Sequence, residues 1–417
     1  MKKLKIAILS YRSAPFGGGQ GVYVNDISRA LSIMGHKVDV ISGPPYPFLS
    51  DQVNLIKLPG LDLFQTFSFK ERLKIFLNKK DKKLIDFYEF TSTLLGSFPE
   101  MRTFGYRANN FLKINNNYDV VIDNQSLSYG MLEVQKRFPF IEIVHHPISK
   151  DFKFELESAN TFAYKLSRYR WYSFLKMQKK VAKNINSIIT PSKNSLRDVE
   201  FDFGANKENI RVIHNGLDID IFIPYKDIKR IPFRLITTAS ADVALKGLDY
   251  TLKSLFVLSK EFPEISLLVI GHMKNDGHTS RLIEELSIQD RVTFKTGLTK
   301  EEIAKEYASS SIAIVSSLYE GFGYPVIEAM SCETPLIATN TASIPELVGE
   351  FASLVTPKNT HELSESIKNI FNNYQKFEKI AESGRQHIID NFNWLKITQE
   401  YEVMIFQAIQ DFKNANL

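Results

Sequence analysis

The chain has 417 residues, of which 44% are hydrophobic and 24% are charged. This length exceeds a single ordinary core and predicts two domains of about 200 residues each. The composition is that of a globular protein and excludes a disordered or fibrous chain. A net charge of +5 is compatible with phosphorylated ligands or an anionic membrane surface, but it is too small to indicate nucleic-acid binding.

The single cysteine and the first residues indicate the compartment. One cysteine, Cys332, excludes an intramolecular disulfide and fits a reducing environment. Because it falls in an apolar helical pattern, we expect a packed thiol rather than a nucleophile. The short apolar run 4–9 predicts a buried strand and not a signal peptide, so we expect a cytoplasmic protein.

Short apolar runs alternate with helical patterns along the chain, which is typical of parallel sheets covered on both faces. The predicted strands are 5–9, 37–41, 53–57, 119–122, 141–144, 187–189 and 211–213, followed by 234–237, 266–270, 292–295, 312–315, 335–338 and 352–355. They indicate two doubly wound Rossmann-like domains of the α/β class. Residues 216–232 lack a helical period and predict a linker between the domains. Two such folds leave a cleft between them, at which ligands bind beyond the carboxyl ends of the strands.

A glycine-rich loop, Gly17-Gly18-Gly19-Gln20-Gly21, follows the first strand and leads into an amphipathic helix. Such a loop can approach a ligand closely and aim a helix at it. Its spacing is not that of the dinucleotide fingerprint, and no suitable acidic residue ends the second strand. A purely structural turn is the alternative interpretation.

An aromatic and basic segment occupies residues 61–83. Its large apolar residues alternate with seven basic ones, which are Lys70, Arg72, Lys74, Lys79, Lys80, Lys82 and Lys83. Basic amphipathic stretches can lie on anionic membranes. They can equally form a solvated helix with one buried apolar side, which is the interpretation we prefer.

Two histidines, His145 and His146, follow the strand 141–144 and precede Pro147. At the carboxyl end of a strand, a histidine can bond a sugar hydroxyl or a phosphate oxygen. We favour His145 because it directly ends the strand. We expect no metal site, since companion ligands with suitable spacing are missing from the sequence.

Two further charged features differ in their expected roles. Asp218 and Asp220 resemble a pair of metal ligands, but they fall in the predicted linker, and we interpret them as non-catalytic. Lys246-Gly247 lies in the loop after the first strand of the second domain. A lysine there can place a point charge against a diphosphate, although an ordinary surface lysine is the alternative.

The most informative segment is 316–330, which runs from a strand through two glycines and Pro325 into a helix. Gly321 and Gly323 let the backbone approach a ligand, so that free amides around 322–326 can face an anion at the positive end of the helix. Glu320 lies on the loop and Glu328 about one turn inside the helix. Amides for a phosphate, together with carboxylates for hydroxyls, predict a receptor for a nucleotide-linked sugar.

Together these motifs resemble family 4 retaining glycosyltransferases of the GT-B architecture, over nearly the whole chain. The matching segments, in the family's order, are Gly17–Gly19, His145, Thr190-Pro191-Ser192, Asn215-Gly216-Leu217-Asp218, Lys246-Gly247 and 320–330. The resemblance implies an N-terminal acceptor-side domain at 1–220, completed by the terminal helix at 394–417. It implies a sugar-nucleotide domain at 221–393.

The resemblance also implies roles for matching residues. His145, Lys246 and Glu320 would be catalytic: His145 touches the transferred sugar, Lys246 neutralises the leaving diphosphate, and Glu320 contacts donor-sugar hydroxyls. Glu328 would take the ribose hydroxyls. The remaining donor-binding positions, at the loops around the phosphates and the sugar, would be Gly18, Gly19, Gly321, Phe322, Gly323, Tyr324 and Val326.

The implied reaction is front-face transfer with retention from a nucleotide-diphosphate sugar, with neither a bound metal nor another cofactor. The segment 61–83 permits a lipid-linked or envelope glycan as acceptor, and peripheral contact with the inner face of a membrane. The alternatives are a sugar-nucleotide 2-epimerase, for which the first domain shows no obvious carboxylate set, and a non-catalytic sugar-nucleotide binder.

Two departures from the family pattern concern the phosphate site and the cleft edge. The arginine that usually precedes the lysine is missing from Ser240-Ala241-Asp242, and Arg12, Arg281 and Arg291 are candidate substitutes. Glycines usual after the cysteine and before Ile344 are replaced by Glu333 and by Ala342-Ser343.

Overall fold

The computed structural model describes residues 2–13, 19–157, 159, 161–239 and 241–416. The chain forms two compact units. The first contains the residues up to Pro191, Ser195–Ile213 and the residues from Thr398 onwards, and the second contains Ser192–Asn194 and His214–Ile397.

The first unit is built on a seven-stranded parallel sheet with helices between the strands. Its elements are β1 (Lys5–Ser10), α1 (Gly19–Ile33), β2 (Lys37–Ser42), β3 (Asn54–Lys57), α2 (Phe69–Asn78), α3 (Leu84–Leu94), α4 (Glu100–Ile114), β4 (Val120–Asn124), α5 (Tyr129–Val134), β5 (Phe140–Ile143), α6 (Ser149–Glu157), α7 (Phe162–Trp171), α8 (Leu175–Ala182), β6 (Ile188–Thr190), α9 (Lys193–Asp198) and β7 (Ile210–Val212). The strand order is β3-β2-β1-β4-β5-β6-β7. It reverses between β1 and β4, where ligands of open α/β sheets bind.

The second unit is built on a six-stranded parallel sheet. Its elements are β8 (Ile231–Thr238), α10 (Leu248–Leu258), β9 (Ser266–Ile270), α11 (His278–Glu285), β10 (Val292–Lys295), α12 (Lys300–Ala308), β11 (Ser310–Val315), α13 (Tyr324–Ser331), β12 (Leu336–Thr339), α14 (Ile344–Val348), β13 (Ser353–Val355), α15 (Thr360–Asn372), α16 (Tyr374–Phe392) and the start of α17 (Trp394–Ala415). The order β10-β9-β8-β11-β12-β13 reverses between β8 and β11.

Successive side chains of the second sheet enter different cores, because a strand alternates its faces. In β11, Ile312 and Ile314 belong to one buried cluster, whereas Ala313 and Val315 belong to the other. Both faces of the sheet are therefore covered, which explains why its strands are continuously apolar in sequence.

All thirteen predicted strands have a counterpart in the structure, with small shifts at their ends. The predicted linker 216–232 was wrong in part, because Leu217 and Phe222 are buried in a core cluster of the second unit. The continuous part of the second unit runs from His214 and not from 221, and Ser192–Asn194 also belong to this unit. The beginning of α17 also belongs to the second unit, where a side chain at Gly216 would collide with the Trp394 ring.

The segment 61–83 has both a buried and an exposed side. Phe76 of α2 is buried and stacks on Phe90 of α3, with ring centroids 4.4 Å apart. Phe67, Phe69 and Leu77 are exposed. Within the described ranges, every helix is too short or too polar to cross a bilayer.

Candidate active site

The second unit brings Lys246 and Glu320 together at the reversal of its strand order. Lys246 ends the short 3-10 turn Ala244–Lys246 that follows β8, and Glu320 lies in the loop after β11. Since β8 and β11 are parallel neighbours, their carboxyl ends meet at the same edge. The Nζ atom of Lys246 donates to Oε1 of Glu320 over 2.7 Å.

The loops that carry these two residues are joined to each other through Gly247. Its φ of 62° is left-handed, and an added Cβ would lie 2.0 Å from the carbonyl oxygen of Ser316. The Oγ of Ser316 donates to the Gly247 carbonyl over 2.9 Å, and the amide of Leu318 donates to the Leu245 carbonyl over 2.7 Å. Only glycine fits this close approach.

The carboxylate and the backbone of Glu320 are both held in place. Ser317 Oγ donates to Oε1 over 2.7 Å, which leaves Oε2 with no hydrogen-bond partner among the described residues. The buried Ser343 donates to the carbonyls of Glu320 and Phe322, the former over 2.9 Å. Ser343 therefore supports the loop by a polar contact that glycine cannot make. Its neighbour Ala342 takes the left-handed φ of 49°, as does Glu333 at 54°, where glycine costs less strain.

The start of α13 supplies fewer amides than the sequence predicts. Gly323 has a φ of 117° directly before the helix, and Pro325 occupies its first turn. The amide of Val326 donates to the Gly323 carbonyl over 3.0 Å, so the prediction of a free amide at Val326 was wrong. The amides of Phe322 and Gly323 have no acceptor within the part of the chain that the structure describes. The Phe322 side chain is buried in the core, so its backbone is what a ligand can meet.

Glu328 lies one turn inside α13 and is linked to a buried tyrosine. The hydroxyl of Tyr307 donates to Glu328 Oε2 over 3.4 Å, and Thr238 Oγ1 lies 2.8 Å from the same hydroxyl. Burial and the charge of Glu328 raise the pKa of Tyr307, so the phenol keeps its proton. Because the phenol is neutral, it donates a hydrogen bond that orients the Glu328 carboxylate and adds no second negative charge.

The first unit holds His145 at the carboxyl end of β5, next to the end of β4. Asn124 Oδ1 lies 2.8 Å from Nε2 of the ring, and Gln125 Oε1 accepts from the His145 amide over 2.8 Å. The ring meets the Tyr23 ring of α1 edge-on, at 4.5 Å between centroids. Burial, followed by the charge of His146, lowers the pKa of His145 to about 3. Because a neutral ring bonded to a carbonyl oxygen carries its proton on Nε2, Nδ1 is left as an acceptor.

The structure shows a partner for His146, but it describes the glycine loop only in part. His146 Nε2 lies 2.9 Å from Asp151 Oδ2 of α6. Gly19 is the first residue of α1. Gly17 and Gly18 lie outside the described residues, so their expected role near the phosphates stays a prediction.

Two of the three arginines considered for the phosphate site have other partners. Arg12 Nη1 donates to Glu100 Oε2 over 3.1 Å, and Arg291 Nη1 donates to the carbonyls of Pro263 and Ile265. Arg281 has no side-chain partner in the described ranges, and it lies exposed on α11. Asp242 accepts the amide of Thr279 at the start of that helix over 2.8 Å.

Two other residues that the sequence analysis considered, Asp218 and Cys332, have contacts that are typical of structural residues. Asp218 accepts from Lys300 Nζ over 2.7 Å. Cys332 is a buried free thiol whose pKa is raised by burial, which confirms the prediction of a packed cysteine. Within the described ranges, no group of three or more His, Cys, Asp or Glu residues could hold a metal ion.

The side chains that orient the predicted residues were missed in the sequence. Ser317 precedes Glu320 by three positions within the same motif and was therefore discoverable, as were Asn124 and Gln125 at a strand end. Tyr307 was not, because its spacing in α12 is that of an ordinary core residue.

Comparisons with known proteins match both halves of the chain to described families. The family described as Glycosyl transferases group 1 matches residues 229–387, and Glycosyltransferase Family 4 matches residues 17–221. An MMP alpha-(1->4)-mannosyltransferase of Mycolicibacterium hassiacum is 38% identical over 412 residues, which cover 97% of this chain and 98% of that protein.

Solved structures show the same fold at low identity. A sucrose-phosphate synthase of Thermosynechococcus elongatus matches with a TM-score of 0.75 and 21% identity, covering 98% of this chain and 100% of that one. Anabaena HepE in complex with UDP and glucose matches with a TM-score of 0.68 and 17% identity, covering 97% and 100%.

Proposed function

The chain belongs to glycosyltransferase family 4 and is a glycosyltransferase, and from this premise we propose the reaction that its site performs. It transfers a mannosyl group from a nucleotide-diphosphate sugar to a hydroxyl of a glycan or lipid-linked acceptor, with retention of the anomeric configuration and without a bound metal. The observation that carries the proposal is the pairing of Lys246 with Glu320 at the strand-order reversal of the second sheet. Mannose is taken from the activity named for the M. hassiacum relative.

In the proposed complex the sugar nucleotide separates Lys246 from Glu320 and becomes the partner of both side chains. The Lys246 ammonium turns from the Glu320 carboxylate to the diphosphate, while Glu320 accepts from hydroxyls of the sugar. The amides of Phe322 and Gly323 add fixed dipoles at the start of α13, where negative charge is favoured. Glu328, held by Tyr307, takes the ribose hydroxyls.

The chemical step makes one bond and breaks one. The acceptor oxygen bonds to the anomeric carbon as that carbon separates from the phosphate oxygen, and the acceptor proton passes to an oxygen of the leaving phosphate. His145 is not the proton donor, because its pKa of about 3 keeps the ring neutral. Its Nδ1 accepts from a hydroxyl of the transferred sugar and positions it. Lys246 and the amides stabilise the charge that grows on the diphosphate.

Metal independence follows in this proposal from the lysine. A cation that is already 2.7 Å from a carboxylate of the site can take the role that a divalent ion fills elsewhere. Turnover with added chelator should therefore equal turnover without it, and loss of activity that Mg²⁺ or Mn²⁺ restores would contradict this part.

We also propose peripheral membrane contact through the segment 61–83. Its exposed apolar side chains Phe67, Phe69 and Leu77 adjoin the exposed Lys70 and Lys74, a combination that binds anionic lipid surfaces. The buried Phe76 fixes α2 to α3, so this surface exists before any membrane is present.

The direct test is a donor screen followed by product analysis. Thermal unfolding is measured with nucleoside diphosphates and their mannose and glucose derivatives; a ligand at 100 times its Kd adds about 2.7 kcal/mol of stability. The stabilising donor is then incubated with α-(1→4)-linked mannotriose, and NMR assigns the new anomeric configuration. An α-linked product from an α-linked donor supports the proposal. A β-linked product excludes retention, and an epimerised donor without transfer excludes the reaction.

A further inference from the structure

A small pocket lies in the first unit at the carboxyl ends of β1, β2 and β3, outside the site described above. Its lining includes Tyr11, Gly43, Asp62, Glu89, Glu100 and Arg107. The pocket has about 10 Å³ of free volume, which is the room of one water molecule or one hydroxyl group. A side chain at Gly43 would lie 2.5 Å from the Tyr11 carbonyl, so glycine lets the loops after β1 and β2 meet here.

Two carboxylate oxygens at this pocket are buried without a hydrogen-bond partner. Glu100 begins α4 and is only 7% exposed. Its Oε2 accepts from Arg12 over 3.1 Å, whereas Oε1 has no partner among the described residues. The same holds for Oδ1 of Asp62. A buried polar oxygen without a partner costs about 1–3 kcal/mol, so a ligand group that bonds to it is favoured.

The charge of the pocket selects against anions. Each guanidinium beside it is already paired: Arg12 with Glu100, and Arg107 with Asp86 and Glu89 at 2.7 and 2.6 Å. Burial raises the pKa of Glu100 to about 8, so its carboxyl group keeps a proton at neutral pH, and the proton lies on Oε1 because Oε2 accepts from Arg12. Asp62, Asp86 and Glu89 still outnumber the two arginines. A phosphate would meet repulsion here, while a neutral hydroxyl would find an acceptor in Asp62 and a donor in Glu100. The pocket is therefore unsuited to the phosphates of the donor.

An aromatic cluster continues from the pocket. Tyr11 meets the ring of Phe98 at 6.5 Å, and Phe98 in turn lies 4.7 Å from Phe64 and 5.3 Å from Trp171. Phe64, Phe98 and Trp171 are only partly buried. Flat apolar rings next to a few placed polar atoms are typical of small-molecule sites, and they suit a pyranose, which has an apolar C–H face and hydroxyl edges.

We propose that this pocket is a subsite for a sugar unit of the acceptor. One hydroxyl of that unit enters the pocket, donates its single proton to Asp62 Oδ1 and accepts the proton of the Glu100 carboxyl group at Oε1. The sugar ring lies against Phe64, Phe98 and Trp171. The proposal rests on the proposed function, since it assigns to the first unit the recognition of a carbohydrate acceptor. Glu100 and Asp62 bind the acceptor and take no part in bond making.

The test uses α-(1→4)-linked mannotriose as the probe and the variants Glu100→Leu and Asp62→Asn. Asp62→Asn keeps the size of the side chain but places an NH₂ donor against the incoming hydroxyl proton, because Gln65 already donates to the other oxygen. Glu100→Leu keeps the approximate size but removes the polar atoms that would bond the hydroxyl. We expect the KM for mannotriose to rise about tenfold or more in each variant, with the donor KM and the donor-induced thermal shift unchanged. Glu133→Gln, on the exposed side of α5, is the control and should leave all values unchanged.

Direct binding separates this proposal from the proposed function. Titration of the full chain with mannotriose, followed by saturation-transfer NMR, should show binding in the native protein and its loss in Glu100→Leu. If the native protein binds mannotriose but transfers no sugar to it, the subsite stands and the proposed function fails. If both variants bind and use mannotriose as the native protein does, the subsite is wrong. Asp62→Asn decides the matter if Glu100→Leu does not fold, because Asp62 is only half-buried.

Discussion

Lys246 Nζ and Glu320 Oε1 lie 2.7 Å apart although the residues are 74 positions apart in the chain. The pair is partly buried, with 30% of the lysine side chain and 11% of the glutamate side chain exposed. Each of these two charged side chains is a partner of the other in this structure. A donor that brings phosphate oxygens and sugar hydroxyls supplies a partner for each residue at the same time.

Replacing Lys246 by alanine should slow turnover by about a hundredfold or more, because a preorganised cation is lost at the growing charge of the diphosphate. Steady-state kcat with saturating donor and acceptor measures this. Lys253→Ala, an exposed lysine of α10, is the matched control and should retain native turnover. Native kcat in Lys246→Ala would remove the lysine from the mechanism.

Exchanging Gly247 for alanine should lower both stability and donor binding. The new Cβ would lie 2.0 Å from the Ser316 carbonyl, so the loop that carries Lys246 must separate from the loop that leads to Glu320. We expect a loss of about 3 kcal/mol or more, from the left-handed strain and the displaced hydrogen bonds together. Chemical denaturation and the donor-induced thermal shift measure the two effects.

Gly297 supplies the control for Gly247. It has a similar φ of 70°, but nothing lies within 4 Å of its added Cβ. Gly297→Ala should therefore cost only the strain of about 1–2 kcal/mol and leave donor binding intact. Equal losses in the two variants would show that the contact with Ser316 is unimportant.

The strands and the glycine-to-helix corner were predictable from the sequence because their signals are local. An apolar run such as Ile312–Val315 indicates a buried strand wherever it lies in the fold, and Pro325 indicates the first turn of a helix. The glutamates and the lysine carried enough local context to be selected as site residues.

The partners of those residues were not predictable, since they depend on which loops the topology brings together. Glu100 looks like an ordinary acidic residue in the first turn of a helix, yet it closes a pocket with Tyr11 and Asp62 from distant loops. The boundary between the units was also missed, because Phe222 sits in a proline-containing stretch without periodicity while its burial is decided by the surrounding core.

His145 should make folding sensitive to mild acid. Burial lowers its pKa to about 3, whereas the unfolded chain has the ordinary value near 6.5. Below pH 6.5 the unfolded state therefore binds a proton that the folded state does not, and stability falls as the pH falls. At pH 5 the loss is about 2 kcal/mol or less, and it should be smaller in His145→Gln.

The measurement is the free energy of unfolding from denaturant titrations between pH 5 and pH 7.5. His361→Gln replaces an exposed histidine of α15 that has no ion pair among the described residues, and it should leave the slope unchanged. If His145→Gln shows the full native slope, the ring is charged or accessible in the folded state. The kcat profile of the native protein should likewise lack a step near pH 6.5 that is due to this residue.

Membrane contact through the segment 61–83 should depend on both its charge and its apolar side chains. Vesicles with anionic lipid should bind the protein at low ionic strength and release it as salt is raised, because exposed charges are screened. Each lysine near the surface contributes about 1 kcal/mol, so Lys70→Glu with Lys74→Glu should weaken binding tenfold or more in vesicle co-sedimentation. Phe67→Ser with Phe69→Ser should weaken it at every salt concentration, since apolar insertion is lost.

The control for these variants is the same change of charge at another exposed place. Lys376→Glu with Lys379→Glu alters α16 of the second unit and should leave vesicle binding nearly native. Equal weakening by both charge-reversal pairs would mean that net charge alone drives the contact, and binding to neutral vesicles at high salt would remove the electrostatic part. The segment 61–83 acts as a surface of its own only if its variants weaken binding and the α16 pair does not.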